Sequence, residues 1–184
     1  MPLFKKKKDK LKIPKVTKDP EQHPERLAVL PYCEEGRGLD VGCGHRKSSP
    51  NCIGVDLTAG GDKGEAGVVA GQVSQADVQA SGDDLHMFAD GELDFVVARH
   101  NIEHYVDPIK TIQEWKRVLR SGGKLAMIVP DDRYVDTIRL DPTHKHVFTP
   151  DSMRRILELI GDMREVEVRE AVPEWSFLAA FEKV

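Results

Sequence analysis

The residues of this chain whose types and spacing can do chemistry begin with Gly38-Leu39-Asp40-Val41-Gly42-Cys43-Gly44, followed by Ile53-Gly54-Val55-Asp56-Leu57. They read as a short apolar strand, a glycine turn, and a second strand tipped by a carboxylate. Glycines after a buried strand let the backbone approach a ligand closely. An acid at the tip of the next parallel strand can accept both hydroxyl protons of a ribose. The pattern points to a nucleoside pocket. Dinucleotide-binding folds begin similarly, but they require a third glycine where this chain has Lys47, and an acid about 20 residues on. Here Asp56 stands 14 residues after Gly42.

A second group of titratable residues lies further along: His100, Glu103, His104, His144 and His146. All fall beyond strand ends, on the side where open α/β sheets bind ligands. A histidine titrating near neutral pH suits removal of a hydroxyl proton, so His100, His104, His144 and His146 are the catalytic candidates. His100, Glu103 and His104 share one face if they form a helical turn, an arrangement able to hold a divalent ion. The reading adopted is simpler. Glu103 and His104 orient the helix that opens near Pro108, and no metal is expected. His144-Lys145-His146 follows Asp131, Asp132, Arg133, Tyr134 and Asp141 in one polar, irregular connection, which reads as a substrate lid. In an extended segment His144 and His146 would point to the same side. Cys43 has no adjacent base other than His45, and covalent catalysis is not expected.

The elements that must position these groups follow from pattern. Alternating strand and helix signals argue for a mostly parallel sheet with helices on its faces. Helices are expected at Pro24–Leu30, at Ile109–Leu119 behind Pro108 and closed by Gly122-Gly123, and from Pro150 to Gly161. Strands are expected at Gly38–Val41, Ile53–Leu57, Val73–Val78, Leu93–Ala98 and Lys124–Val129. A closing antiparallel hairpin is expected from Glu165–Val172 and Trp175–Val184. Ile112, Trp115 and Leu119 stand at helical spacing and read as core.

Composition sets the bounds. At 184 residues with 40% hydrophobic content, the chain supports one domain with a true core. No apolar run reaches the about 20 residues of a membrane span. Three cysteines without paired spacing and no signal-peptide pattern fit a cytoplasmic protein. Residues 1–18 carry eight lysines against one aspartate, leaving a net charge of −11 on the remainder of a chain whose total is −4. Residues 1–23 are read as a basic, flexible tail, able at most to attract an anionic surface weakly, and residues 24–184 as the functional domain. The acidic body argues against nucleic acid as a partner.

The series LDVGCG, GVDL, ADV, LDFVVARHNIEHYVDP and EWKRVLRSGGKLAMIVPDD resembles the class I S-adenosylmethionine-dependent methyltransferases over residues 38 to 132. Within them it is similar to small uncharacterised members with a segment like Asp141-Pro142-Thr143-His144-Lys145-His146-Val147-Phe148. The resemblance implies a Rossmann-like seven-stranded sheet of order 3-2-1-4-5-7-6, S-adenosylmethionine as cofactor and S-adenosylhomocysteine as product. It implies that Gly42, Cys43 and Gly44 form the turn under the methionine part, with Asp40 also binding the cofactor. Asp56, with Leu57 beside it, would hold the ribose. Asp77 and Val78 would face the adenine, and Arg99 and His100 would border the sulfonium.

One departure stands out. Only eight residues, His45 to Cys52, separate the glycine turn from the second strand, too few for a crossover helix. The first helix is expected to be a single turn or absent, and the Gly-rich Ala59–Gly71 stretch to replace the second. The segment around Pro20–Leu30, or a partner chain, would then cover the exposed cofactor side. The expected reaction is methylation of a small molecule, such as a sugar or glycolipid hydroxyl. The alternatives are a non-catalytic cofactor-binding scaffold, or methylation of RNA or protein. The latter lacks an Asn/Asp-Pro-Pro-Tyr motif, since that position reads Arg99-His100-Asn101-Ile102.

Overall fold

The computed structural model describes residues 14–17, 19–65 and 70–184. The lysines read as the core of a basic tail, apart from Lys15, lie outside the described residues.

The sheet has seven strands in the order β3-β2-β1-β4-β5-β7-β6. They are β1 Gly38–Val41, β2 Cys52–Asp56, β3 Val78–Gln79, β4 Leu93–Arg99, β5 Leu119–Pro130, β6 Met163–Val172 and β7 Ser176–Lys183. β1 to β5 run parallel, and β7 lies antiparallel to both β5 and β6. The expected order and closing hairpin are therefore what the chain adopts. β1 is buried along its whole length, as a strand covered on both faces must be.

The helices are α1 Pro24–Val29, α2 Pro108–Val118, the single turn α3 Thr137–Leu140, and α4 Pro150–Ile160. Each longer helix starts where local chemistry sets it. Asp107 accepts from the Lys110 amide ahead of α2, with Pro108 at the first position. Thr149 and Ser152 cap α4 reciprocally, and Gly161 at φ +70° ends it. Trp115, Ile112 and Val118 of α2 and Met153 and Leu157 of α4 bury one sheet face. Ala28 and Val29 of α1, with Cys33, pack on the other face against Phe95, Val97, Ile128 and Leu178.

Three boundaries differ from the sequence reading. The third strand is two residues long and begins after Asp77, not at Val73. Residues 74–77 instead make isolated bonds: the Gln75 amide donates to the Gly44 carbonyl in the glycine turn, and the Asp77 amide to the Gly54 carbonyl in β2. Helix α2 ends at Val118, before the Gly122-Gly123 pair, because fully buried Leu119 leaves the helix to pair with Leu93 at the start of β5. Order also reaches into the segment read as tail, since Pro20–Gln22 forms a 3-10 turn capped by Asp19.

Among the described residues, neither the β1–β2 nor the β2–β3 connection holds a helix. The tips of β1, β2 and β4 are thereby open on the side where the glycine turn lies. Residues 20–26 come over that opening.

Candidate active site

Gly42 sits at φ +70° and Gly44 at φ +53°, a backbone region that glycine enters without strain. The Gly42 amide donates to the Val55 carbonyl at 2.8 Å, which ties the turn to β2. The carboxylate of Asp56 accepts from the Gly44 amide and from the Thr58 amide, each at 2.9 Å. A Cβ on Gly42 would fall 2.1 Å from Asn101 Nδ2, so the turn and the exit of β4 are in direct contact through the missing side chain.

Two cavities open around this junction, one of about 370 Å³ and one of about 320 Å³. They share Gly42, Asp56, Asn101, His104 and Thr143. The smaller runs past Leu57 to the Ala80–Asp83 turn and Tyr105. The larger lies between the glycine turn, Arg46, Arg99 and the Pro20–Arg26 segment. Both volumes suit parts of a small molecule.

Of the residues expected to meet a cofactor, Gly42, Cys43, Gly44, Asp56, Leu57, Arg99 and His100 line one or both cavities. Three others do not. Asp40 is buried and accepts from the Ser48 amide, so it fastens the β1–β2 loop, and burial pushes its carboxyl above the usual range. Asp77 precedes β3 rather than ending it. Its carboxylate accepts from the Gly54 amide at 2.7 Å and from Lys47 Nζ at 2.9 Å. Val78 packs against the core. The acid at the carboxyl end of β3 that reaches the smaller cavity is Asp83. Burial, with Asp40, Asp56 and Asp77 nearby, pushes the Cys43 thiol up to about 12, which leaves it protonated and inert.

The four histidines separate cleanly. His100 stands at φ +49°, with Nε2 2.9 Å from Glu25 Oε1 and Nδ1 3.7 Å from Glu103 Oε1. Burial alone would lower its pKa, but the Glu25 carboxylate, with Glu103 behind it, outweighs burial and raises it to about 10. His100 is therefore an imidazolium at neutral pH and no proton acceptor, contrary to its reading as a base. His146 is also displaced from that role. Its Nε2 lies 3.0 Å from the Val106 carbonyl, its ring is beside Phe148, and it lines neither cavity.

His104 lines both cavities. Its Nδ1 is 3.1 Å from Thr143 Oγ1, and that hydroxyl is 2.7 Å from Asp141 Oδ1. The carboxylate can only accept, so Thr143 gives its one proton to Asp141 and must itself accept from His104 Nδ1–H. The lone pair of His104 therefore sits on Nε2. Burial holds the pKa of this ring below its ordinary value. His144 is buried, with Nδ1 2.8 Å from the Thr137 carbonyl, which likewise leaves its lone pair on Nε2. That nitrogen is 3.8 Å from Glu103 Oε1 rather than in the cavities.

Sequence reasoning missed four contributors. Asn101 lies between the cavities with a buried Oδ1 that has no hydrogen-bond partner among the described residues. Tyr105, Thr143 and Glu25 also reach the site. Glu25 left a signal, since it shares the buried side of α1 with Ala28 and Val29. A carboxylate there needs a partner, which is His100. Asn101 left none, because its role depends on the glycine that faces it.

The family described as "Methyltransferase domain" matches residues 39–127. An uncharacterised protein of Methanocaldococcus jannaschii is 27% identical over 178 residues, covering 83% of this chain and 84% of its own. Ajmaline N-methyltransferase of Rauvolfia serpentina is 32% identical over 120 residues, 60% of this chain and 38% of that protein. Among solved structures, an S-adenosylmethionine-dependent methyltransferase of Thermotoga maritima superposes with a TM-score of 0.61 at 18% identity, covering 88% of each chain. One of Methanosarcina mazei gives 0.61 at 18% identity, covering 85% of this chain and 97% of its own. Residues 39–127 thus carry the match to the methyltransferase-domain family, and the strand order and glycine turn give the chain the fold of the class I S-adenosylmethionine-dependent methyltransferases.

Proposed function

We propose that the enzyme methylates a hydroxyl of a small, strongly polar molecule, a sugar or the sugar portion of a glycolipid. One observation carries this reading. Around the larger cavity every described lining side chain other than glycine, Pro20 and Cys43 carries a strong hydrogen-bonding group or a charge. An apolar or aromatic acceptor would strand charged groups without partners, whereas a polyhydroxylated one supplies partners.

The chain's own residues fit the cofactor at both ends. Asp56 reaches both cavities and retains lone pairs for two ribose hydroxyls beyond the two amides it already accepts. The side-chain-free surface of Gly42 gives the backbone close approach. Asn101 Oδ1 and Arg99 Nε are buried without partners among the described residues, one an acceptor and one a donor, and would meet a polar ligand. The smaller cavity, bounded by Leu57, Gly82 and Tyr105, suits the adenine. The larger, with Arg46 and Arg99, suits the methionine carboxylate and then the acceptor.

The bound cofactor supplies an electrophilic methyl group, so the protein's tasks are positioning, exclusion of water and management of one proton. His104 is the residue at the shared junction that presents a bare ring nitrogen. Glu25 and His100 anchor the Pro20–Arg26 segment over the larger cavity. The test is transfer of labelled methyl from S-adenosylmethionine to a panel of sugars and sugar conjugates beside amines, RNA and protein. Label on a sugar oxygen is expected. Label confined to an amine, to RNA or to protein overturns the reading.

A further inference from the structure

Glu103 is fully buried, and neither oxygen of its carboxylate has a hydrogen-bond partner among the described residues. A carboxylate in that state is costly, and an interior seldom keeps one without a use. Two imidazole nitrogens stand close by, His144 Nε2 at 3.8 Å and His100 Nδ1 at 3.7 Å, both beyond hydrogen-bond length. His100 is already committed through Nε2 to Glu25 at 2.9 Å. His144 and His104 are not so committed, because each holds its proton on Nδ1 and turns a lone pair outward on Nε2.

We propose that Glu103, His104 and His144 form a binding site for a divalent transition-metal ion at the inner edge of the two cavities. One ligand atom from each of the three lies within 4.8 Å of the others. Ligands around a single ion about 2 Å away stand about 3–4 Å apart, so small side-chain rotations close the set. Two imidazoles and one carboxylate select zinc-like ions over calcium or magnesium, which favour oxygen-only shells.

The surroundings are those of a metal site. The Thr137 carbonyl orients His144, and the Thr143–Asp141 pair orients His104, each through the ring nitrogen that does not face the ion. The segment carrying His144 is fixed to Glu103 by backbone, since the Lys145 amide donates to the Glu103 carbonyl at 2.8 Å. Three protein ligands leave a position open, and His104 borders both cavities, so the open position faces the acceptor. Use of the ion to hold an acceptor oxygen rests on the polar-acceptor reading above. Binding of the ion does not.

The experiment titrates the chelator-stripped full chain with Co²⁺, followed by visible absorption and by calorimetry. Wild type is expected to bind one equivalent and to develop ligand-field bands. Glu103→Gln and His144→Gln are expected to weaken binding by more than about 100-fold, and Thr143→Val, which removes only an orienting partner, by about 10–100-fold. The far-ultraviolet spectrum and melting temperature of each variant without ligand serve as the check that it is folded. Because Thr143 is exposed, its variant keeps the test open if a buried substitution fails that check. Absence of Co²⁺ binding by wild type that still responds to S-adenosylhomocysteine overturns the proposal and leaves the cofactor site standing. Glu103 would then be only a buried counter-charge for His100. Equal binding by wild type and all three variants overturns it as well, by locating the ion elsewhere.

Discussion

At the scale of single residues, the site is set by groups that lack something. Gly42 lacks a side chain where one would strike Asn101, and among the described residues Asn101 Oδ1 lacks a donor and Arg99 Nε an acceptor. Gly42→Ala therefore combines about 1–2 kcal/mol of left-handed strain with displacement of Asn101 from the junction. Loss of measurable S-adenosylhomocysteine binding in calorimetry, with an unchanged far-ultraviolet spectrum, is the expected outcome. Retained affinity would mean that the turn does not approach the cofactor. At this scale the sequence was legible for Gly42, Gly44 and Asp56, whose conformation or charge is needed whatever surrounds them. It was not legible for Asp77, whose partners Gly54 and Lys47 come from another strand and loop. Nor was it legible for His100, whose charge state is fixed by Glu25, a residue 75 positions away.

At the scale of elements, α1 and α2 reach the site in different ways. Glu25 of α1 accepts from His100 and, at 2.6 Å, from Ser176 Oγ at the start of β7. Burial alone would raise its carboxyl, but the charge and hydrogen bonds of His100, with Ser176, lower it from the usual 4.5 to about 2. A carboxyl with a depressed folded-state pKa contributes stability that is complete above its unfolded value and lost as pH falls. The melting-temperature advantage of wild type over Glu25→Gln is therefore expected to be full between about pH 5 and pH 6, to shrink steadily as pH falls toward 2, and to shrink again as pH rises toward 10, where His100 loses its proton. An advantage that stays constant from pH 6 to pH 3 would deny that this pair anchors α1.

Helix α2 acts through Trp115, whose Nε1 donates to the Gly82 carbonyl at 2.8 Å and so fixes the turn bounding the smaller cavity. Trp115→Phe leaves that carbonyl unpaired at a cost of about 1–3 kcal/mol, readable in urea unfolding. It should also weaken S-adenosylhomocysteine binding, and unchanged stability would contradict the linkage. Helix starts at Pro24, Pro108 and Pro150 were legible because a first-turn proline is a local signal, joined at α2 and α4 by a side-chain cap. The early end of α2 was not, because it depends on Leu119 pairing with Leu93 across the sheet.

At the scale of the whole molecule, the fold reduces a familiar sheet to its ligand-binding end. The strand order follows from alternating elements and a terminal hairpin, and it was readable from the sequence. So was the lack, among the described residues, of a helix between β1 and β2, from the eight residues between Gly44 and Ile53. What stands in its place is the N-terminal segment, whose Pro20–Arg26 stretch completes the larger cavity from more than 70 residues before His100. Charge follows the same division, with the acidic body carrying its basic side chains Arg46 and Arg99 where a carboxylate ligand would enter.

The central claim is that the cofactor occupies the two cavities joined at Asp56. The most direct measurement is the thermal shift with S-adenosylhomocysteine for wild type and Asp56→Ala, at about 100-fold excess over the dissociation constant. Binding then adds about 2.7 kcal/mol, a rise of about 5–10 °C for a chain of this size. A rise in wild type that Asp56→Ala loses is the expected result. No rise in wild type, or an equal rise in both, would contradict the placement of the cofactor at this junction.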